Sequence, residues 1–424
     1  MIVLPEYQFP LSATLALLVF LHLRRRRLCS ACVLAALLAY TLYLLAIDYA
    51  DTVAQVRVFS HLRAGFVVAN CAIIATFAVC FQLGQFVVTR VMSGLPAAPN
   101  QIAKRSNAVL VPLVLGAALT AVSADGWWLF APYPQNKGLF ALIPLGGAGA
   151  VANLLLLIAV LRARTLHLHT RLAMTVFWLT ALHYVLAGDR GSLLFLTLGL
   201  YACRLQAQPR FTLRTVAEMA VLGAGMLVLL DQISALRSWG NAPLSSASFL
   251  EEIDLLPQSI AHTAHAIDIR LSGLEPLPGG LPAFALTLLI QIVPSGLLHF
   301  LGIETYNGPV LLSDYVTHGG GFLVPAELFF VGGLGTVAVI GAYFGAIAAL
   351  NDRIAQRAAA RSDTLMTILV LLAAASTFYT MFYGVQALHR MLTLPIVFLA
   401  ARTLLRTVLR GVPTLRALGP GAAR

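Results

Sequence analysis

The chain has 424 residues, of which 59% are hydrophobic and only 11% charged, with a mean hydropathy of +0.85. Soluble domains carry about 25% charged residues, so this balance excludes an ordinary soluble fold. The net charge of +11 is then a matter of membrane sidedness and of anionic lipid, and no nucleic-acid partner is implied.

Apolar runs near the length of about 20 residues that crosses a bilayer recur from end to end, which favours helices over the alternating strands of a barrel. In chain order they predict spans at 3–23, 28–47, 64–88, 107–123, 139–160, 172–187, 191–204, 215–233, 323–350, 364–384 and 391–409. The expected fold is all-α: a polytopic bundle of about eleven helices over residues 1–424 as one integral membrane domain. The first run has no positive charge before it and Arg24 to Arg27 after it, so it reads as a retained helix. Cys29 and Cys32 open an apolar helix as "CSAC" with no second pair, and Cys71, Cys80 and Cys203 also lie within or beside helices. They read as small packing residues, with no disulfide framework.

Between 172–187 and 191–204 the chain turns through Gly188, Asp189, Arg190 and Gly191. Two uses of Arg190 are open. Asp189 can neutralise it, so that the pair caps a hairpin, because charges at membrane depth pair. Alternatively its fork of donors, with backbone N–H groups freed by the flanking glycines, forms an anion site. Arg237, beyond 215–233, places a second cation at the same surface, where it suits a diphosphate or anchors the interface with Trp239.

Residues 234–322 follow as a long outer loop. Its segment 258–271 predicts an amphipathic surface helix with His262, His265, Asp268 and Arg270, and offers too few ligands for a zinc site. Charge decides the apolar run at 281–298. Six alternate clusters, beginning at Arg24, Arg90, Arg162, Arg204, Arg353 and Arg402, hold 21 of the 28 Lys and Arg and mark the cytoplasmic side. A full crossing at 281–298 would invert the last two clusters, so this run is expected to be re-entrant or interfacial. The loop then faces the periplasm, with the N-terminus outside and the C-terminus inside.

Tyr306, Asn307, Ser313, Asp314, Thr317 and His318 precede Gly319 to Gly321, and Glu327 follows at the mouth of the next helix. This is the densest polar stretch in the chain. His318 is the first candidate for a general base, since imidazole titrates near neutrality, and Asp314 and Glu327 are the next. A solvated loop histidine is the plainer alternative. Gly332, Gly333 and Gly335 are expected to serve close helix packing. No phosphate-binding loop, internal repeat or cofactor motif is present, so any chemistry draws its energy from the substrate.

Taken together, helix–"GDRG"–helix, the arginine after the next helix, the long outer loop and "HGGGFLVPAELFFVGGLGTVAVIGAYFGA" resemble the Wzy-type oligosaccharide repeat-unit (O-antigen) polymerases over roughly 172–350. The resemblance implies transfer of a growing glycan from undecaprenyl diphosphate onto the next lipid-linked repeat unit at the outer face of a bacterial inner membrane. It implies a metal-independent, inverting glycosyltransferase without cofactors, whose partners are the lipid-linked donor and acceptor, membrane lipid and a polysaccharide chain-length regulator. By position, Arg190 matches the arginine of the family's mid-chain motif and Arg237 the arginine after the next helix. Diphosphate would fall to Arg190, Arg237, Gly188 and Gly191, and glycan contacts to Tyr306, Asn307, Arg270, His262 and His265. His318 has no assigned family counterpart, so its role rests on chemistry. Asp189 stands where many relatives carry a small residue, which keeps both uses of Arg190 open.

Two competing readings remain. An O-antigen ligase would use the same donor but deliver glycan to the lipid A-core. A lipid-linked sugar flippase or secondary transporter would show inverted repeats, broken helices and ionisable groups near mid-membrane.

Overall fold

The computed structural model describes residues 4–54, 64–91, 107–123, 148–186, 255–274, 280–291, 301–303, 311–312, 322–360 and 363–411, with Leu193, Leu196, Thr197, Gly199, Leu200 and Glu218 as isolated positions. Among them are eleven helices and no strand. They are α1 (Leu4–Arg24), α2 (Leu28–Ala54), α3 (Ala64–Val91), α4 (Asn107–Ser123), α5 (Ala148–Leu166), α6 (Thr170–Leu186), α7 (Leu255–Leu271), α8 (Gly280–Ile290), α9 (Val324–Ala360), α10 (Thr364–Thr380) and α11 (Val385–Gly411). The predicted spans 191–204 and 215–233 lie largely outside the described residues.

Four of these helices, α2, α3, α9 and α11, are long and apolar enough to cross a membrane. Their surfaces fit that reading. On α3, Val79, Leu83, Phe86 and Val87 recur at helical spacing and are each more than half exposed, while Phe77 and Phe81 on another face are fully buried. An apolar stripe of that kind is stable against lipid and costly against water. This is the pattern of a helical membrane protein.

The bundle centres on α9, which packs closely along α3 and also meets α2, α7, α8, α10 and α11. Small residues allow the close approach. A Cβ on Gly345 would collide with the Phe81 carbonyl, one on Gly84 with the Ala342 carbonyl, and one on Gly341 would lie 3.3 Å from Phe77. Gly345→Ala should therefore destabilise the protein by at least the roughly 1–3 kcal/mol typical of overpacking, because the obstacle is backbone and cannot swing aside. Gly335→Ala is the control: nothing lies within 4 Å of its Cβ position, and stability should change by less than about 1 kcal/mol. Thermal unfolding of both variants in one detergent checks the contrast.

At one end of the bundle, polar groups tie helix termini together. Asp352 of α9 is buried and accepts from the backbone N–H groups of Cys29 at 2.8 Å and Ser30 at 3.2 Å, and from the Ser30 hydroxyl. It thus caps the start of α2 from another helix, supplying acceptors to N–H groups that have no partner within their own helix. Nearby, Arg353 donates to the Thr89 carbonyl at the end of α3, and Arg402 of α11 forms an ion pair with Asp363 at the start of α10. The Arg24–Arg27 turn and the ends of α3 and α9 therefore share one end of the bundle.

The helices depart from the apolar runs in four informative places. α2 continues to Ala54, beyond the run that ends at 47, and α11 begins at Val385, six residues before its run at 391. Hydropathy marks where lipid begins, whereas helical hydrogen bonding continues through polar residues. α8 ends at Ile290, inside the run 281–298, and α9 is broken at Gly332 and Gly333. The close packing expected of those two glycines falls instead to Gly84, Gly341 and Gly345.

Candidate functional site

The helices of the long loop belong to the main core. Ile260 and Ile267 of α7 and Phe284 and Leu288 of α8 are buried in the same apolar cluster as α3 and α9. Amphipathic spacing explains how α7 docks: Ile260, Thr263 and Ile267 fall on one face, while His265 and Asp268 stay exposed. His262, one turn from His265, is buried. The structure therefore places the two histidines in different surroundings.

Hydrogen bonds fix the junction of α7 with the start of α9. The Leu323 N–H donates to the Thr263 hydroxyl oxygen at 3.1 Å, and the Val324 N–H donates to the Met381 carbonyl at 3.0 Å. Glu327, in the first turn of α9, is fully buried, and its Oε2 accepts from the Val385 N–H at 2.6 Å. One carboxylate thereby serves the positive ends of two helices, α9 and α11. Gly384 makes this approach possible: its φ is +112°, and a Cβ there would lie 2.9 Å from Glu327 Oε2.

The break in α9 lies one turn further on. Gly332 has φ −152° and ψ 20°, and Gly333 has φ 71° and ψ −167°, a conformation open essentially to glycine alone. The break divides α9 into a short segment ending at Val331 and a long one starting at Leu334. Arg270 of α7 lies beside it, with Nη2 3.8 Å from the Cβ position of Gly333, and its Nη1 donates to the Leu274 carbonyl at 3.2 Å. The Arg270 guanidinium thus lies at the start of the second helix segment, where the backbone N–H groups of a helix end also point.

Of the sequence-predicted site residues, the structure brings Arg270, Glu327 and His262 to α7 and the first turns of α9, with His265 on the outer face of α7. Gly188, Arg190, Gly191, Arg237, Tyr306, Asn307, Asp314 and His318 lie outside the described residues. Among the described residues, no three His, Cys, Asp or Glu side chains are grouped as a metal site requires. Sequence reasoning missed the helix break and the tie from Glu327 to α11. Paired glycines following "PAELFFV" were a signal for the first, while the second depends on residues 58 positions apart.

What the fold and site define is a class: an α-helical membrane-type protein with a discontinuous helix and a glycine-bearing junction of helix ends beside Arg270 and Glu327. Comparison with family models, with curated proteins and with solved structures finds no match for the chain.

Proposed function

We propose that the protein is an integral-membrane glycosyltransferase that polymerises undecaprenyl diphosphate-linked oligosaccharide repeat units, for O-antigen or a related surface polysaccharide, at the periplasmic face of a bacterial inner membrane. The observation that carries this reading is the series Arg190, Arg237, His318 and Glu327, set in the "GDRG" and "HGGG" motifs around one long outer loop. In this account the two arginines hold the departing diphosphate, His318 accepts the proton of the attacking sugar hydroxyl, and the loop binds glycan. The sugar–oxygen bond to the carrier breaks as the new glycosidic bond forms on the opposite face, inverting the anomeric centre. Electrostatic stabilisation of the leaving group and proton removal by a base suffice for such a transfer.

Two structural observations support the sidedness. α8 has 11 residues, a rise of about 16 Å against the roughly 30 Å of a bilayer core, which suits a re-entrant segment. The second is one of parity. Arg353 reaches Thr89, so α3 and α9 end on the same side. The five predicted crossings from 107 to 233, followed by α9, return the chain to that side only if 281–298 does not cross.

A deletion strain tests the reading against the ligase. Loss of the polymerase should leave single repeat units on the lipid A-core, whereas a bare core would assign the ligase activity. The break in α9 favours a second reading, a lipid-linked sugar flippase, since discontinuous helices mark transporter substrate sites. In that case the deletion strain accumulates lipid-linked units on the cytoplasmic side.

A further inference from the structure

The outer part of α11 reads "VQALHR", and its polar residues share one face. Gln386, His389 and Arg390 stand at positions i, i+3 and i+4, within an arc of about 100°. Each carries a buried nitrogen without a hydrogen-bond partner: Nε2 of Gln386, Nδ1 of His389 and Nη2 of Arg390. Buried polar atoms without a partner occur on other helices too, among them Asn70 and Gln85 of α3, and what distinguishes this face is three nitrogens within little more than one helical turn.

The surroundings of this face are defined by contact. His389 is fully buried; its Nε2 lies 2.9 Å from the Tyr343 hydroxyl of α9, and its ring also packs beside Phe344. In the tautomer in which Tyr343 donates to Nε2, the imidazole proton lies on Nδ1 and makes that atom a donor. Arg390 uses Nε to donate to the Gln291 carbonyl at 3.4 Å, just past the end of α8, and forms no ion pair with any described carboxylate. Gln386, His389 and Arg390 thus share a face of α11 that meets α9 through His389 and the end of α8 through Arg390, about 8 Å or less along α11 from its first residue. Among the described residues no carboxylate pairs with Arg390, the Glu327 carboxylate at the start of α11 being bonded to the Val385 N–H, and a guanidinium at membrane depth is favoured by an anion beside it.

We propose that this junction, lined by Gln386, His389 and Arg390, is a binding site for a phosphate group. The chemistry is that of one charged and two neutral donors converging on several oxygens of one anion, and a tetrahedral phosphate presents enough oxygens to accept from all three. Its position near the start of α11 is the depth at which a lipid headgroup meets a membrane helix. The phosphate comes either from a lipid or from solution. The site does not depend on glycan polymerisation, and its test reads binding alone.

The test uses the full chain purified in uncharged detergent with two probes, inorganic phosphate titrated by calorimetry and phosphatidic acid retained in native mass spectrometry. Wild-type protein should bind at least one probe saturably. Arg390→Gln should weaken that binding about 10–100-fold, through loss of a charge-assisted donor, and Gln386→Leu about 3–10-fold. Binding of both probes supports a phosphate site open to either source, while binding of phosphatidic acid alone assigns the site to a lipid headgroup. Thermal unfolding shows whether each variant is folded; if Arg390→Gln is not, Gln386→Leu decides. Failure of both probes to saturate the wild type, or affinities unchanged in the folded variants, overturns the proposal.

Discussion

Replacing Arg190 or Arg237 by alanine should reduce polymer formation at least about 10²–10³-fold, the scale of losing one preorganised donor to a developing negative charge. Both residues would act on the diphosphate as it leaves, so their effect should appear in turnover at saturating lipid-linked substrate. Arg190→Lys should recover little, because an ammonium presents a point charge where the guanidinium presents a planar fork. Polymer length on membranes with matched protein levels checks all three variants. Wild-type polymer from both alanine variants would leave Arg190 as a hairpin cap paired with Asp189.

A loss of similar or greater size is expected at His318. Removal of a general base typically costs about 10²–10⁴-fold in rate, so His318→Ala should retain lipid-linked substrate but turn over almost none of it. His318→Gln keeps a hydrogen-bonding group and loses the base, and should be equally impaired. Normal polymerisation by the glutamine variant would reduce His318 to a binding or structural role. Asp314 and Glu327 would then be the next bases to replace by amides. Because Glu327 also holds the Val385 N–H, its amide variant must be read for folding as well as for rate.

Sequence periodicity and hydropathy reveal the helices best where a helix is apolar throughout, as in α3 and α4, whose starts at Ala64 and Asn107 coincide with their apolar runs. They reveal least where function and packing diverge from hydropathy. Arg390 stands just before the apolar run that predicts the last span, yet the helix extends back through it to Val385, so the face of Gln386, His389 and Arg390 lies outside the run that hydropathy marks. Asp352 stands in sequence beside the basic cluster that begins at Arg353, yet it is buried and caps α2 across a separation of more than 320 residues. The glycines are legible as a group, yet their separate roles are not, since Gly332 and Gly333 break α9 whereas Gly345 allows backbone contact with Phe81. For Asp352 and Gly345 the deciding partner is distant in sequence, and no local pattern encodes it. The amphipathic helix of the long loop is legible because its docking face repeats at helical spacing, as Ile260, Thr263 and Ile267.

The central claim is that this chain alone joins lipid-linked repeat units. Purified protein, reconstituted with synthetic undecaprenyl diphosphate repeat units and neither nucleotide sugar nor ATP, tests it most directly. The account predicts a ladder of lengthening lipid-linked glycans and release of undecaprenyl diphosphate in step with each bond formed, both lost in Arg190→Ala and His318→Ala. Unchanged repeat units with a folded, lipid-reconstituted wild-type protein, or their movement across the bilayer without any new glycosidic bond, would contradict it.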